Sequence, residues 1–206
     1  MDIYKLLKNR FGEQNWWPAE SEFEMMVGAI LTQNVSWNNV EIAIENLKDD
    51  EMLDPLAIKN STLKKIQELI KPTGFYKQKS KRLKRLARAV IENGGLNTLF
   101  KKDNLREFLL NVKGIGPETA DSIILYAAER PKFVIDSYTK RILKRVMNHE
   151  GNYQELQRFF ESNLNTDSKL YQEYHALIVE LGKTYCKKNP ICDSCPLIEI
   201  CEFGKK

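Results

Sequence analysis

All four cysteines of the chain fall in its last 21 residues, at Cys186, Cys192, Cys195 and Cys201. Clustered thiols in a reducing compartment read as metal ligands sooner than as a disulfide framework. A central Cys-x2-Cys with one cysteine five residues beyond it on either side is not the paired-knuckle spacing of zinc ribbons. Four thiolates suit a 4Fe-4S cluster, with zinc as the alternative. A second candidate is the segment Val112-Lys113-Gly114-Ile115-Gly116-Pro117-Glu118-Thr119-Ala120. Two glycines around one apolar residue permit a tight turn, and Pro117 can begin a helix without losing a hydrogen bond. Amides at such a turn can hold a phosphate oxygen; the same residues also make a plain turn between helices. The third candidate is Asp136, 18 residues after Glu118 in Phe133-Val134-Ile135-Asp136-Ser137-Tyr138. Aspartate at a helix start commonly caps the exposed amides. Behind an apolar step and facing the hairpin, this carboxylate is also placed to act on a sugar held there.

Charge and aromatic residues are unevenly spread. The net charge of +4 is too small to demand a polyanionic partner. Between Lys71 and Val90, however, stand eight basic residues and no acidic one: Lys71, Lys77, Lys79, Lys81, Arg82, Lys84, Arg85 and Arg88. Such a field attracts phosphates, although a basic run also serves as a solvated helix face. The three tryptophans, Trp16, Trp17 and Trp37, all lie within 22 residues. Their faces can stack on a planar ring and favour a cationic one; core packing is the alternative role.

The elements that must position these groups are helical nearly throughout. Ile3, Leu6, Leu7 and Phe11 form a stripe that stops at Gly12. Ser21 and Glu24 predict a capping box ahead of Phe23, Met26, Val27, Ile30 and Leu31. Asp54-Pro55 opens another helix. Leu83, Leu86, Ala87 and Val90 share one face of a helix whose other face carries Lys81, Arg85 and Arg88. Helices follow after Asp136, around Tyr153 to Leu164, and from Asp167 to Thr184, while Phe133-Val134-Ile135 is too short to count as a sheet. The fold class is all-α. No apolar run approaches the ~20 residues of a membrane span. The opening Met1-Asp2-Ile3-Tyr4-Lys5 lacks the features of a signal peptide, so a cytoplasmic protein is expected.

Leu110 to Tyr138 resembles the helix-hairpin-helix and Gly/Pro-Asp signature of the endonuclease III superfamily of DNA glycosylases. Gly28-Ala29-Ile30-Leu31-Thr32-Gln33-Asn34 is similar to a helix end of that family, and the cysteine tail to its cluster loop. This tail has five residues between its first two cysteines where the family has six. The resemblance implies two helical domains with double-stranded DNA bound between them. One is a six-helix barrel over residues 18–130. The other joins residues 1–17 to 131–206 and carries the cluster loop at 186–201. It further implies a monomer in which Asp136 is the catalytic carboxylate and Gln33 fills the gap left by an extruded nucleotide. Gly114, Gly116, Lys113, Lys81 and Arg85 would bind DNA, close to the nucleoid, and Cys186, Cys192, Cys195 and Cys201 would ligate the 4Fe-4S cluster.

Glu118 stands where bifunctional members carry a lysine nucleophile, two residues beyond the second glycine. A carboxylate forms no Schiff base, so a monofunctional glycosylase using water is expected. Trp16-Trp17-Pro18, Leu31-Thr32-Gln33-Asn34 and Gly74-Phe75-Tyr76-Lys77-Gln78-Lys79 resemble the 3-methyladenine branch. There, aromatic residues matching Trp17 and Trp37 sandwich an alkylated base, and a basic residue matches Lys183. The base pocket is therefore assigned to Trp17, Trp37, Glu118 and Lys183. The alternatives are a bifunctional glycosylase/AP-lyase for oxidised pyrimidines and a non-catalytic DNA-binding or electron-carrying iron–sulfur protein.

Overall fold

The computed structural model describes residues 3–205. Met1 and Asp2, which open the segment read for a leader, and Lys206 lie outside the described residues. Within them the chain forms twelve α-helices and no strand. None of the helices is long and apolar enough to cross a membrane. The chain divides into two compact units, Trp17–Ala128 and Met1–Trp16 with Glu129–Lys206.

The unit Trp17–Ala128 is built around α2 (Glu22–Leu31), which is buried from Phe23 to Leu31. A helix apolar on all sides belongs at the centre of a bundle. Its start departs in detail from the expected capping box. Ser21 Oγ accepts from the Glu24 amide at 3.1 Å, but the Glu24 carboxylate accepts from the amide of Glu20. It also meets Lys48, which draws the side chain away from the cap. Around α2 pack α3 (Trp37–Asp49), α6 (Tyr76–Glu92) and α9 (Pro117–Ser122). Behind α6 lie α4 (Pro55–Asn60), with Asp54 capping the Leu56 and Ala57 amides, and α5 (Leu63–Leu69). Helices α7 (Leu96–Phe100) and α8 (Leu105–Asn111) lead to the hairpin. Buried Asp121 of α9 accepts from Nε and Nη2 of Arg106 of α8, at 2.7 and 3.1 Å, which fixes the two hairpin helices together. Fork-to-fork pairing gives this contact direction as well as strength.

In the other unit α1 (Ile3–Phe11) and α10 (Ser137–Met147) pack on α12 (Ser168–Thr184), while α11 (Tyr153–Asn163) is closed by an Asn152/Glu155 capping box. Helix α1 ends at Gly12 with φ +71°, as the hydrophobic stripe requires. Phe133 is fully buried, stacked on Phe160 at 3.9 Å and edge-on to Tyr171 and Tyr174.

Candidate active site, hairpin and thiol loop

Asp136 sits at the end of an extended step whose backbone is paired by side chains instead of a sheet. The Phe133 amide donates to Glu161, the Phe133 carbonyl accepts from Gln157, and the Ile135 amide meets the Tyr153 hydroxyl. These side chains take over part of the pairing that a partner strand would supply. Asp136 then caps α10, and its two oxygens divide the work. Oδ1 accepts from the amide and the hydroxyl of Thr139, at 2.7 and 2.8 Å. Oδ2 lies 3.8 Å from Nε2 of buried His175, too far for a hydrogen bond. Burial pulls the His175 imidazole below its ordinary range, against the attraction of Asp136. A neutral imidazole does not itself offset the carboxylate charge. The capping and chemical readings of Asp136 are thus compatible, since one oxygen suffices for the cap. Gly182 secures the start of α10: a Cβ there would stand 2.2 Å from Tyr138 Cδ1, so only glycine lets α12 approach so closely.

The hairpin turns at Gly114 with φ +104°, and Ile115 donates back to the Val112 carbonyl at 3.0 Å. Lys113, Gly116 and Glu118 are exposed, and nothing lies where a Cβ on Gly116 would stand. Lys81 and Arg85 project from α6, and Arg85 reaches the Lys113 carbonyl at 3.3 Å. The basic run is less uniform than its sequence. Lys79 is buried and donates to the carbonyls of Leu31 and Thr73, both at 2.8 Å. Desolvation, with Arg82 adding to it, lowers its pKa to about 8. Lys84 binds the Ser61 carbonyl and Arg82 binds Gln33. Four of the eight cations, Lys79, Arg82, Lys84 and Arg85, therefore make contacts within the unit. Lys79 pins the carbonyl end of α2 just before Thr32 and Gln33.

Trp17 and Trp37 line one cavity of about 340 Å³ in the unit Trp17–Ala128. Their rings meet edge to face, with centroids 5.4 Å apart and planes at 81°, and Trp17 also tilts against Tyr126. The two indoles are half-buried neighbours and do not form parallel walls. Sequence reasoning missed the charge of this cavity. Glu20, Glu24, Glu41 and Glu45 line it with a single cation, Lys48, which contacts Glu20 at 2.9 Å and Glu24 at 3.3 Å. The signal was available as spacing, since Glu41, Glu45 and Lys48 share a face of α3. Glu118 is not among the lining residues, and Lys183 belongs to the other unit, exposed and 3.6 Å from Glu180. Phe75, which the sequence places in the segment 74–79 without a role, is open to solvent. It is 65% exposed and held at φ +45° at the start of basic helix α6, a strained placement for an aromatic residue.

The four thiols are free, with Cys186 and Cys201 buried. Among the described residues no three His, Cys, Asp or Glu side chains are grouped as a metal's ligand set. The sulfurs nevertheless sense one another. Burial first, then charge on Cys186, Cys201 and Cys192, pushes the Cys195 thiol up. Four soft sulfur donors in one loop suit an iron or zinc centre by their chemistry. Arg145 of α10 stitches the loop down, donating to Cys186 Sγ at 3.4 Å and to the carbonyls of Lys187 and Lys188. Arg141 holds the Cys186 carbonyl at 2.8 Å. One helix thus begins at Asp136 and ends under the thiol loop.

These features, an all-helical fold with a Gly-Ile-Gly-Pro hairpin and a capping aspartate, meet a known pattern. Residues 27–166 match the HhH-GPD superfamily of base excision DNA repair proteins. The chain belongs to that family and is a DNA glycosylase of base excision repair. A putative DNA repair glycosylase of Methanocaldococcus jannaschii is 50% identical over 206 residues, covering 97% of this chain and 94% of that protein. The 3-methyladenine DNA glycosylase of H. pylori, solved with 1,N6-ethenoadenine, is similar with a TM-score of 0.80 and 32% identity, over 88% of this chain and 95% of that one. Endonuclease III in a non-covalent DNA complex shares the fold, with a TM-score of 0.85 at 20% identity over 98% and 93% of the two chains.

Proposed function

We propose that the protein hydrolyses the N-glycosidic bond of alkylated, cationic purines of the 3-methyladenine type in double-stranded DNA and leaves the strand intact. The observation that carries the substrate class is the cavity in which Trp17 and Trp37 stand among four glutamates and one lysine. Indole faces attract a cationic ring, and the excess of carboxylates deepens that preference over a neutral base. The name of the H. pylori relative agrees with it.

The chemistry asks little of the protein. N-alkylation makes the purine a cationic leaving group that needs almost no protonation. Asp136, with Oδ1 committed to Thr139, offers Oδ2 to the developing oxocarbenium sugar or to the attacking water. Amides around Gly114 and Gly116, with Lys113, hold the backbone, while Lys81 and Arg85 add phosphate contacts. Gln33 fills the gap, and exposed Phe75 is a second wedge against the opened stack. In this reading the protein acts as a cytoplasmic monomer. Glu118 supplies no amine, so no Schiff base forms at that place. The test is a duplex with one alkylated purine. Base loss that becomes a strand break only after alkali is expected; breaks before alkali, trapped by borohydride, would show lyase chemistry by another lysine.

We further propose that Cys186, Cys192, Cys195 and Cys201 hold a 4Fe-4S cluster, with zinc as the alternative. Bound, the cluster supplies a four-point cross-link that fixes a loop bearing exposed Lys187 and Lys188 for contact with phosphates. Protein purified without oxygen is expected to be brown, with broad absorption near about 400 nm and close to four irons per chain. A colourless protein with one zinc would refute the cluster.

A further inference from the structure

Gln33 is held at both ends of its carboxamide. Its Oε1 accepts from the Arg82 guanidinium, and its Nε2 donates to Thr119 Oγ1 at 3.0 Å. The two partners differ in kind. A hydroxyl donates or accepts, so Thr119 would tolerate either orientation of the amide. Arginine has only donors, and it alone decides that oxygen, not nitrogen, faces α6. A half-turn of the amide would set N–H against N–H and lose a charge-assisted bond. Arg82 is itself fixed by the hairpin. Its stem crosses Gly114, where a Cβ would come within 2.6 Å of Arg82 Cγ and 2.9 Å of Cδ. A residue that belongs by sequence to the basic run is thus spent on Gln33 and the hairpin.

A free glutamine amide can exchange its oxygen and nitrogen to suit any base edge. A clamped one cannot. With one lone pair given to Arg82 and one N–H given to Thr119, the amide keeps one acceptor and one donor in fixed order. We infer that Arg82 is a positioning residue that sets the polarity of the Gln33 amide, so that the enzyme discriminates among the bases left unpaired opposite the lesion. This rests on the reading in which Gln33 enters the gap, and it adds a specificity that the damaged-base pocket does not supply.

The experiment uses the full chain and four duplexes in which a tetrahydrofuran abasic analogue faces A, C, G or T, with affinity read by fluorescence anisotropy. The wild type is expected to spread its four dissociation constants over about tenfold, the discrimination of one well-placed hydrogen bond. Arg82→Met keeps the stem over Gly114 and removes the donors; its four constants should fall within about twofold of one another. Arg82→Lys restores a donor-only cation and should restore the spread. Gln33→Ala should lose it as Arg82→Met does. A spread that survives Arg82→Met, or a wild type with none, overturns the inference while leaving the repair reading intact. A wild type that binds all four no better than undamaged duplex overturns that reading and this inference with it.

Discussion

Asp136→Asn is expected to slow single-turnover base release by about two to three orders of magnitude, with DNA affinity and thermal stability almost unchanged. The two effects separate because the two oxygens have separate tasks. Asparagine caps helices as well as aspartate does, so its oxygen can still take the Thr139 amide and hydroxyl. What it would lack is the negative charge proposed to face the sugar. Neutral His175 cannot supply that charge, and its own burial keeps it from offsetting the carboxylate in the wild type. A calorimetric midpoint close to wild type together with a collapsed rate assigns Asp136 to chemistry. An unchanged rate would leave it only the role of a cap.

Trp37→Ala is expected to slow excision of a cationic purine by about ten- to a hundredfold, because stacking of a base on an aromatic face is worth about 1–3 kcal/mol. Trp37 is the better probe of the two indoles. Trp17 also packs over Gly28, whose added Cβ would lie 3.2 Å from its Nε1, and against Tyr126, so its loss would disturb the helix beneath. Trp37 stands at the first position of α3 and touches Trp17 edge-on. Trp37→Phe should recover most of the rate by restoring a π face. Equal slowing on a cationic and a neutral lesion would show that the indole acts through packing alone.

Much of the fold is legible in the sequence because it is written in local signals. The stripe ending at Gly12 and the Asp54-Pro55 start each specify a helix end through the residues on either side. The all-helical class follows from the same periodicity, and the hairpin from its glycines and proline. Tertiary pairing is what sequence could not show. Lys79, Arg82 and Lys84 look like their exposed neighbours in the run, yet each is drawn inward by a carbonyl or amide distant in sequence. The Ser21 cap lost its reciprocal glutamate to Lys48 for the same reason. The π-helical turn at Ile123–Ala127 and the left-handed Phe75 likewise answer to packing around them rather than to a local motif. Trp17 and Trp37 are neighbours, but their edge-to-face angle could not be read from two positions in a chain.

Mass spectrometry of the bases released from methylated DNA distinguishes a monofunctional glycosylase for cationic purines acting through Asp136 from its alternatives. Wild-type and Asp136→Asn proteins would be run side by side, with thymine-glycol DNA as the competing substrate. Free 3-methyladenine-type purines are expected from the wild type, almost none from the variant, and little release from the oxidised DNA. Release of oxidised pyrimidines in preference to alkylpurines, or equal release by both proteins, would contradict that assignment.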